Sequence, residues 1–273
     1  MPSSPPPPPS PAPSNSLANT VRSAWTWGSI GAILAGGLPL VGLTWLLDRD
    51  PARYRTGRMF RRLGAAMTRV NPAWEVEIEG AMPDDPRAPY VVVCNHQSNA
   101  DIPIVSRLPW EMKWVGKAEL FRLPVAGWLM KMAGDIPVER GNARSRASVM
   151  IRGREVLGQR CSVIFFPEGT RSRDGRLLPF NDGAFRLAIK AGVPILPLAL
   201  DGTMDALPKD GWRFGAPSRI RLAVLTPIDT DGLAQSDAPA LRERTRRAIA
   251  DHIAAWRGTA AASILAPTGD EAG

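Results

Sequence analysis

From about residue 73 onward, short apolar segments alternate with longer amphipathic ones. Trp74, Val76 and Ile78 alternate with Glu75, Glu77 and Glu79, the period-two pattern of a half-exposed strand. Tyr90–Cys94 and Ser162–Phe166 are dominated by apolar residues and suit strands buried on both faces; Pro167 closes the second. Ile195–Leu200 and Ile220–Leu225 read as further strands, and Lys113–Val115 as a shorter one. Between them, Leu120–Met132, Ala143–Leu157, Gly183–Ala191 and Ala240–Trp256 carry helical spacing. Strands interleaved with helices predict an α/β fold: a mixed, largely parallel sheet flanked by helices. The pattern places this domain at residues 73–258, followed by a loose C-terminal tail over 259–273. No internal repeat is visible.

The N-terminal third is organised differently. Residues 1–22 are rich in Pro, Ser and Ala, including the run Pro5–Pro9, and bury too little apolar surface to offset ordering, which predicts disorder. Residues 23–72 read as membrane-anchoring helices. Ala24–Leu47 carries no charge and exceeds the roughly 20 apolar residues that a bilayer-crossing helix needs. Trp25, Trp27 and Trp45 sit near its ends, as interfacial aromatics do. Gly36, Gly37 and Pro39 interrupt the middle, so a single span and a bent pair of short helices fit equally well. After it come Arg49, Arg53, Arg55, Arg58, Arg61 and Arg62, with Phe60, Leu63, Met67 and Val70 at helical spacing. This reads as a basic amphipathic helix on an anionic lipid surface, on the cytoplasmic side.

Charge and composition narrow the partners. The formal net charge is +8 and the hydrophobic fraction 44%, so a core is available and anionic partners are favoured. Nucleic acid is not the expected partner, because the basic cluster adjoins the apolar anchor and no recognition motif is visible. The two cysteines, Cys94 and Cys161, lie in apolar runs and read as small core residues. No Cys/His spacing suggests a metal, and no Gly-x-Ser-x-Gly elbow suggests a serine hydrolase. Only His96 and His252 are available for imidazole chemistry; His252 reads as a packing residue beside Ile249, Ile253 and Trp256.

Two polar blocks follow the two buried strands. Asn95-His96-Gln97-Ser98-Asn99-Ala100-Asp101 sets a histidine and a carboxylate five residues apart, a spacing that a tight turn opening into a helix can close, at the end of a strand where α/β proteins build sites. A histidine can take a proton from a hydroxyl, and a carboxylate on its other nitrogen supports the imidazolium that forms. Phe166-Pro167-Glu168-Gly169-Thr170-Arg171-Ser172 offers a glycine for close backbone approach, hydroxyl donors and the planar donor fork of Arg171, which suits phosphate. Each block alone has an ordinary structural reading: a helix cap beside a structural histidine, and a polar turn with a Glu168–Arg171 ion pair.

Together the blocks resemble the lysophosphatidic acid acyltransferase family, the 1-acylglycerol-3-phosphate acyltransferases with a His-x4-Asp motif. The resemblance covers about residues 90–200 and, weakly, the N-terminal membrane segment. Gly134-Asp135-Ile136-Pro137-Val138-Glu139-Arg140 and Val193-Pro194-Ile195-Leu196-Pro197 look like two further family motifs. The resemblance implies that His96 is the general base and Asp101 orients it, and that Glu168, Gly169, Thr170 and Arg171 bind the acceptor, with Arg140 and Lys117 contacting its phosphate. It implies an acyl-CoA or acyl-carrier protein donor, no metal or tightly bound cofactor, a lysophospholipid acceptor, and residence at the cell inner membrane with the catalytic domain on the cytoplasmic side. One departure stands out: Pro179-Phe180-Asn181-Asp182-Gly183-Ala184-Phe185 lacks the lysines that many relatives carry before Gly-Ala-Phe. That leaves another lyso-lipid, such as a lyso-ornithine lipid, open as acceptor. A non-catalytic membrane module that binds anionic lipid is the reading from a different class.

Overall fold

The computed structural model describes residues 17–215 and 217–266; the expectations for residues 1–16 and 267–273 lie outside the described residues. In chain order the elements are α1 (Leu17–Leu47), α2 (Tyr54–Met67), β1 (Trp74–Gly80), β2 (Val91–Cys94), α3 (Asp101–Val105), β3 (Met112–Lys117), α4 (Ala126–Ala133), β4 (Ile136–Val138), α5 (Ala143–Gly158), β5 (Ser162–Phe165), α6 (Gly183–Ala191), β6 (Ile195–Asp201), α7 (Thr203–Ala206), β7 (Ser218–Val224), α8 (Ala238–Arg257) and α9 (Ala261–Ile264). The seven strands form one sheet in the order β1-β7-β6-β2-β5-β3-β4. Every neighbouring pair is parallel except β6 and β7. This is the mixed, largely parallel α/β sheet that the alternating pattern predicts. The short strand β4, inside the Gly134–Arg140 block, has too few residues to show a period.

The continuous apolar runs are explained by burial on both faces. Val91 and Val93 of β2 join the core beneath α5, α6 and α8, whereas Val92 and Cys94 join the opposite core with Ile104, Trp110 and Ile164. Successive side chains of a strand point to opposite faces, so a central strand covered by two layers has no polar positions to spare. Both cysteines are buried and free, and desolvation pushes both thiols up, Cys161 to about 12. They behave as the small core residues expected.

The N-terminal region departs from expectation in three ways. First, α1 begins at Leu17, so residues 17–22 are helical rather than part of a disordered leader; of the two shapes left open for Ala24–Leu47 it takes the single helix, unbroken through Pro39. Gly37 permits α2 to press close: a Cβ there would fall 2.2 Å from Leu63 Cδ1. Second, α2 does not lay all its arginines on an outer surface. Arg61 is buried, with its guanidinium bonded to Asp135 and 3.7 Å from Glu111 Oε2. Glu111 in turn lies 2.9 Å from Lys113 Nζ, which also donates to the carbonyls of Ala133 (2.7 Å) and Arg53 (3.1 Å). Gly57 fits over this cluster because it has no side chain; a Cβ would come within 2.0 Å of Glu111 Oε1. Third, the tail from residue 259 is not loose as far as Ala266: Ile264 is buried, Leu265 bridges to Leu177, and Arg246 Nη2 donates to Ala266 O (2.9 Å).

Candidate active site

Four parallel strands, β2, β5, β3 and β4, end on the same edge of the sheet, and each predicted site residue follows one of those ends. The chain leaves β2 through Asn95, whose side-chain amide exchanges two 2.8 Å hydrogen bonds with the backbone of Leu200 in β6. Asn95 thereby substitutes for a ladder pair at the point where the backbone must turn away. Next, Ser98 Oγ donates to Leu207 O (2.6 Å) and accepts from Ala100 N–H (3.1 Å), which fixes the entry into α3.

Asp101, fully buried, is the first residue of α3. Its Oδ2 accepts from Gln97 N–H (2.8 Å), Ser98 N–H (3.0 Å) and His96 Nδ1 (2.6 Å). Three N–H donors on one oxygen fix the imidazole as the tautomer protonated on Nδ1, which leaves the Nε2 lone pair outward. No described residue bonds to Nε2, and the His96 side chain retains 15% exposure. The ring lies on Phe166, centroids 4.1 Å apart and planes 18° apart. That shelf follows from register: Val93 pairs with Phe165, so the residues just beyond the two strands emerge side by side. Phe166 in turn lies 5.7 Å from Trp114, over which the Arg61 guanidinium sits at 5.5 Å.

The second block clamps the first. Glu168, placed with the acceptor-binding residues by the family resemblance, is turned inward instead: Oε1 accepts from His96 N–H (2.6 Å) and Oε2 from Leu178 N–H (3.0 Å). Ser172 N–H donates to His96 O (2.8 Å), so the backbone of His96 is held on both sides. Burial pushes the Glu168 carboxyl up to about 8, against the pull of its two backbone donors. It is a strut rather than a free ligand, and the Glu168–Arg171 ion pair that the sequence allowed does not form. Gly169 has φ +69°, a left-handed turn that favours glycine. Thr170 is exposed and Arg171 half-buried.

Lys117 and Arg140 stand further along the edge. Lys117 ends β3, exposed and 3.3 Å from Glu119; Arg140 is exposed two residues beyond β4. With strands about 4.8 Å apart, the β4 end lies three spacings from the β2 end, roughly 14 Å from the histidine's strand. The edge thus carries a proton acceptor at one point and cations spread away from it. Sequence reading missed Asn95, Ser98, Phe166 and Ser172 as the scaffold of the histidine. The one local signal was the polar run that begins directly after an all-apolar strand.

Fold and site define a class: an α/β scaffold with a carboxylate-held histidine at the carboxyl edge of its sheet. The family model described as Acyltransferase matches residues 75–201. A chloroplastic 1-acyl-sn-glycerol-3-phosphate acyltransferase of Brassica napus is 34% identical over 226 residues, covering 82% of this chain and 64% of the relative. One from Cocos nucifera is 32% identical over 210 residues, 76% of this chain and 67% of the relative. The crystal structure of the 1-acyl-sn-glycerophosphate (LPA) acyltransferase from Thermotoga maritima superposes with a TM-score of 0.71 at 25% identity, covering 87% of this chain and 97% of that one. The chain belongs to the 1-acyl-sn-glycerol-3-phosphate acyltransferase family. It spans somewhat less than two thirds of the length of the Brassica relative.

Proposed function

We propose that this protein transfers a fatty acyl chain from a thioester, acyl-CoA or acyl-carrier protein, to the free hydroxyl of 1-acylglycerol-3-phosphate, giving phosphatidic acid. The observation that carries this reading is the 2.6 Å His96–Asp101 bond with Nε2 facing outward. His96 Nε2 takes the hydroxyl proton as the acceptor oxygen attacks the thioester carbonyl. The tetrahedral species collapses, the C–S bond breaks, and the departing sulfur receives the proton from the imidazolium. Asp101 keeps the ring in the productive tautomer throughout and offsets its transient charge. Arg171, with Thr170 and the Gly169 turn, holds the phosphate end, and Lys117 and Arg140 extend the positive edge; such positioning contributes a large share of the barrier reduction. Glu168 acts through the backbone of His96.

We assign the chain to the cell inner membrane, on the cytoplasmic side. α1 is long and apolar enough to cross a bilayer, yet it touches the body along much of its length. Phe214 N–H donates to Ser23 Oγ (3.0 Å) and Trp27 Nε1 to Trp212 O (2.6 Å), while Gly37 meets α2. From Ser23 to Gly37 is about 21 Å of helix at 1.5 Å per residue. The opposite face, with Trp25, Leu40, Leu43, Leu46 and Leu47, is exposed. This favours a helix lying in the interface with one face in lipid over a free span.

The test is free-thiol release from acyl-CoA by the full chain in membranes, with and without lysophosphatidic acid. Release that needs the acceptor, with phosphatidic acid forming, is expected. Release with a lyso-ornithine lipid in place of lysophosphatidic acid would reassign the acceptor. Silence with acyl-CoA and acyl-carrier protein alike would leave a lipid-binding module.

A further inference from the structure

The loop between α7 and β7 carries a cation that the motifs do not include. Lys209 Nζ donates to the carbonyl of Arg171 (2.6 Å) and approaches Thr170 Oγ1 (3.3 Å). Both partners are neutral oxygens of the turn that follows β5. An ammonium has three donors, so one N–H of Lys209 is left over. Among the described residues neither Lys209 nor Arg171 pairs with a carboxylate; the nearby Asp210 lies 4.0 Å from Arg173 in an exposed pair. Lys209 is therefore held against the turn that carries Arg171, and neither cation has a carboxylate partner among the described residues. Such a pair offers an anion two positive partners on one turn.

The loop is fixed at both ends by elements with known places in the molecule. At Leu207 its carbonyl accepts from Ser98 of the histidine loop (2.6 Å). At the far end Gly215 N–H donates to Ala206 O (3.0 Å), closing the loop, and Gly215 O accepts from Arg22 of α1. Between them Trp212 is exposed beside Trp27, and Phe214 packs against Trp27 with ring centroids 5.3 Å apart. The loop thus runs from the histidine to the helix that we place at the lipid surface, and Lys209 lies on the stretch between.

We infer that Lys209 binds the phosphate of the lyso-lipid acceptor, its remaining N–H and the Arg171 guanidinium closing on one phosphate from two sides. The inference rests on the acyl-transfer reading above and adds a residue to it from outside the four motif blocks. A monoacyl lipid sliding in from the bilayer would meet this cation at the depth set by α1.

Steady-state kinetics of the full chain in vesicles with lysophosphatidic acid and acyl-CoA test this, comparing Lys209→Gln, Lys209→Arg and wild type. Gln keeps a donor for Arg171 O while removing the charge. The expected result is an acceptor KM raised about ten- to a hundredfold in Lys209→Gln, as for a lost charge-assisted hydrogen bond. The acyl-CoA KM should stay within about twofold, and Lys209→Arg should recover most of the loss. An active wild type whose Lys209→Gln form has an unchanged acceptor KM would overturn the role of Lys209 alone. A wild type inactive on lysophosphatidic acid would overturn the reading beneath it as well. A second measurement needs no variant: modification of Lys209 by an amine-reactive reagent should be slowed by lysophosphatidic acid and not by a lyso-lipid without phosphate. Equal slowing by both would also count against the assignment.

Discussion

Two of the places in this fold where a base meets a carboxylate differ in what surrounds them. At the edge of the sheet, Asp101 holds His96 with one ring nitrogen turned outward and an aromatic shelf beneath the ring. Beneath α2, Arg61 and Lys113 meet Asp135 and Glu111 with side-chain exposures of 0–5%. Burial pulls the Arg61 guanidinium down, but the two carboxylates outweigh it and hold its pKa above the usual value; burial pushes the Glu111 carboxyl up, against Lys113 and Arg61. The first cluster leaves a lone pair for a substrate. The second spends its charges on each other and on backbone carbonyls, and Gly57 seals it from above. Paired charge alone therefore does not mark a site.

The comparison can be broken most directly at His96. His96→Ala should lower acceptor-dependent thiol release by about a thousandfold, the scale of a lost general base, while circular dichroism and thermal melting stay near wild type. Undiminished turnover by the folded variant would remove His96 from the chemistry. Arg61→Met should do the reverse. Chemical denaturation should show a loss of about 3–5 kcal/mol, since Asp135 is left buried and unpaired, whereas kcat of the folded protein holds within a few-fold. The double change Arg61→Met with Asp135→Leu should recover much of that stability. A double variant no better than the single would mean that the pair matters for its shape rather than its charge.

Smaller effects sharpen the picture. Phe166→Leu removes the ring beneath the imidazole, and kcat should fall about two- to tenfold, matching the roughly 0.5–1.5 kcal/mol of an aromatic pair; no change would make the shelf incidental. Glu168 gives a pH signature. A carboxyl held at about 8 in the fold and ordinary when unfolded binds its proton more tightly in the native state. Its contribution to stability is then complete below the unfolded pKa and lost as pH rises toward 8. Thermal melts between pH 5 and pH 8 should fall less steeply in Glu168→Gln than in wild type, and equal slopes would place the titration elsewhere.

What could be read along the chain was local. The apolar runs of β2 and β5 stood out because strands buried on both faces leave no polar positions, and α6 was legible at Gly183–Ala191 because its spacing repeats within nine residues. The His96–Asp101 pair is closed by hydrogen bonds within a single turn, so its spacing allowed the contact, and the resemblance to a family gave the pair a role. The interrupted look of Gly36, Gly37 and Pro39 left the shape of this segment open, because propensity describes an isolated helix, whereas Gly37 serves a packing contact with Leu63.

The sequence by itself thus determined the alternation of elements and the covering of the central strands and permitted the histidine–aspartate turn, since each depends on residues a few positions apart. Only the tertiary structure decided that Phe166 underlies His96, that Glu168 faces inward, that Arg61 leaves its basic neighbours for a buried partner 74 positions away, and that Lys209 reaches the turn after β5. Those contacts depend on strand order, register and the seating of α1 and α2, which arise from packing free energy summed over the whole chain rather than from any local pattern.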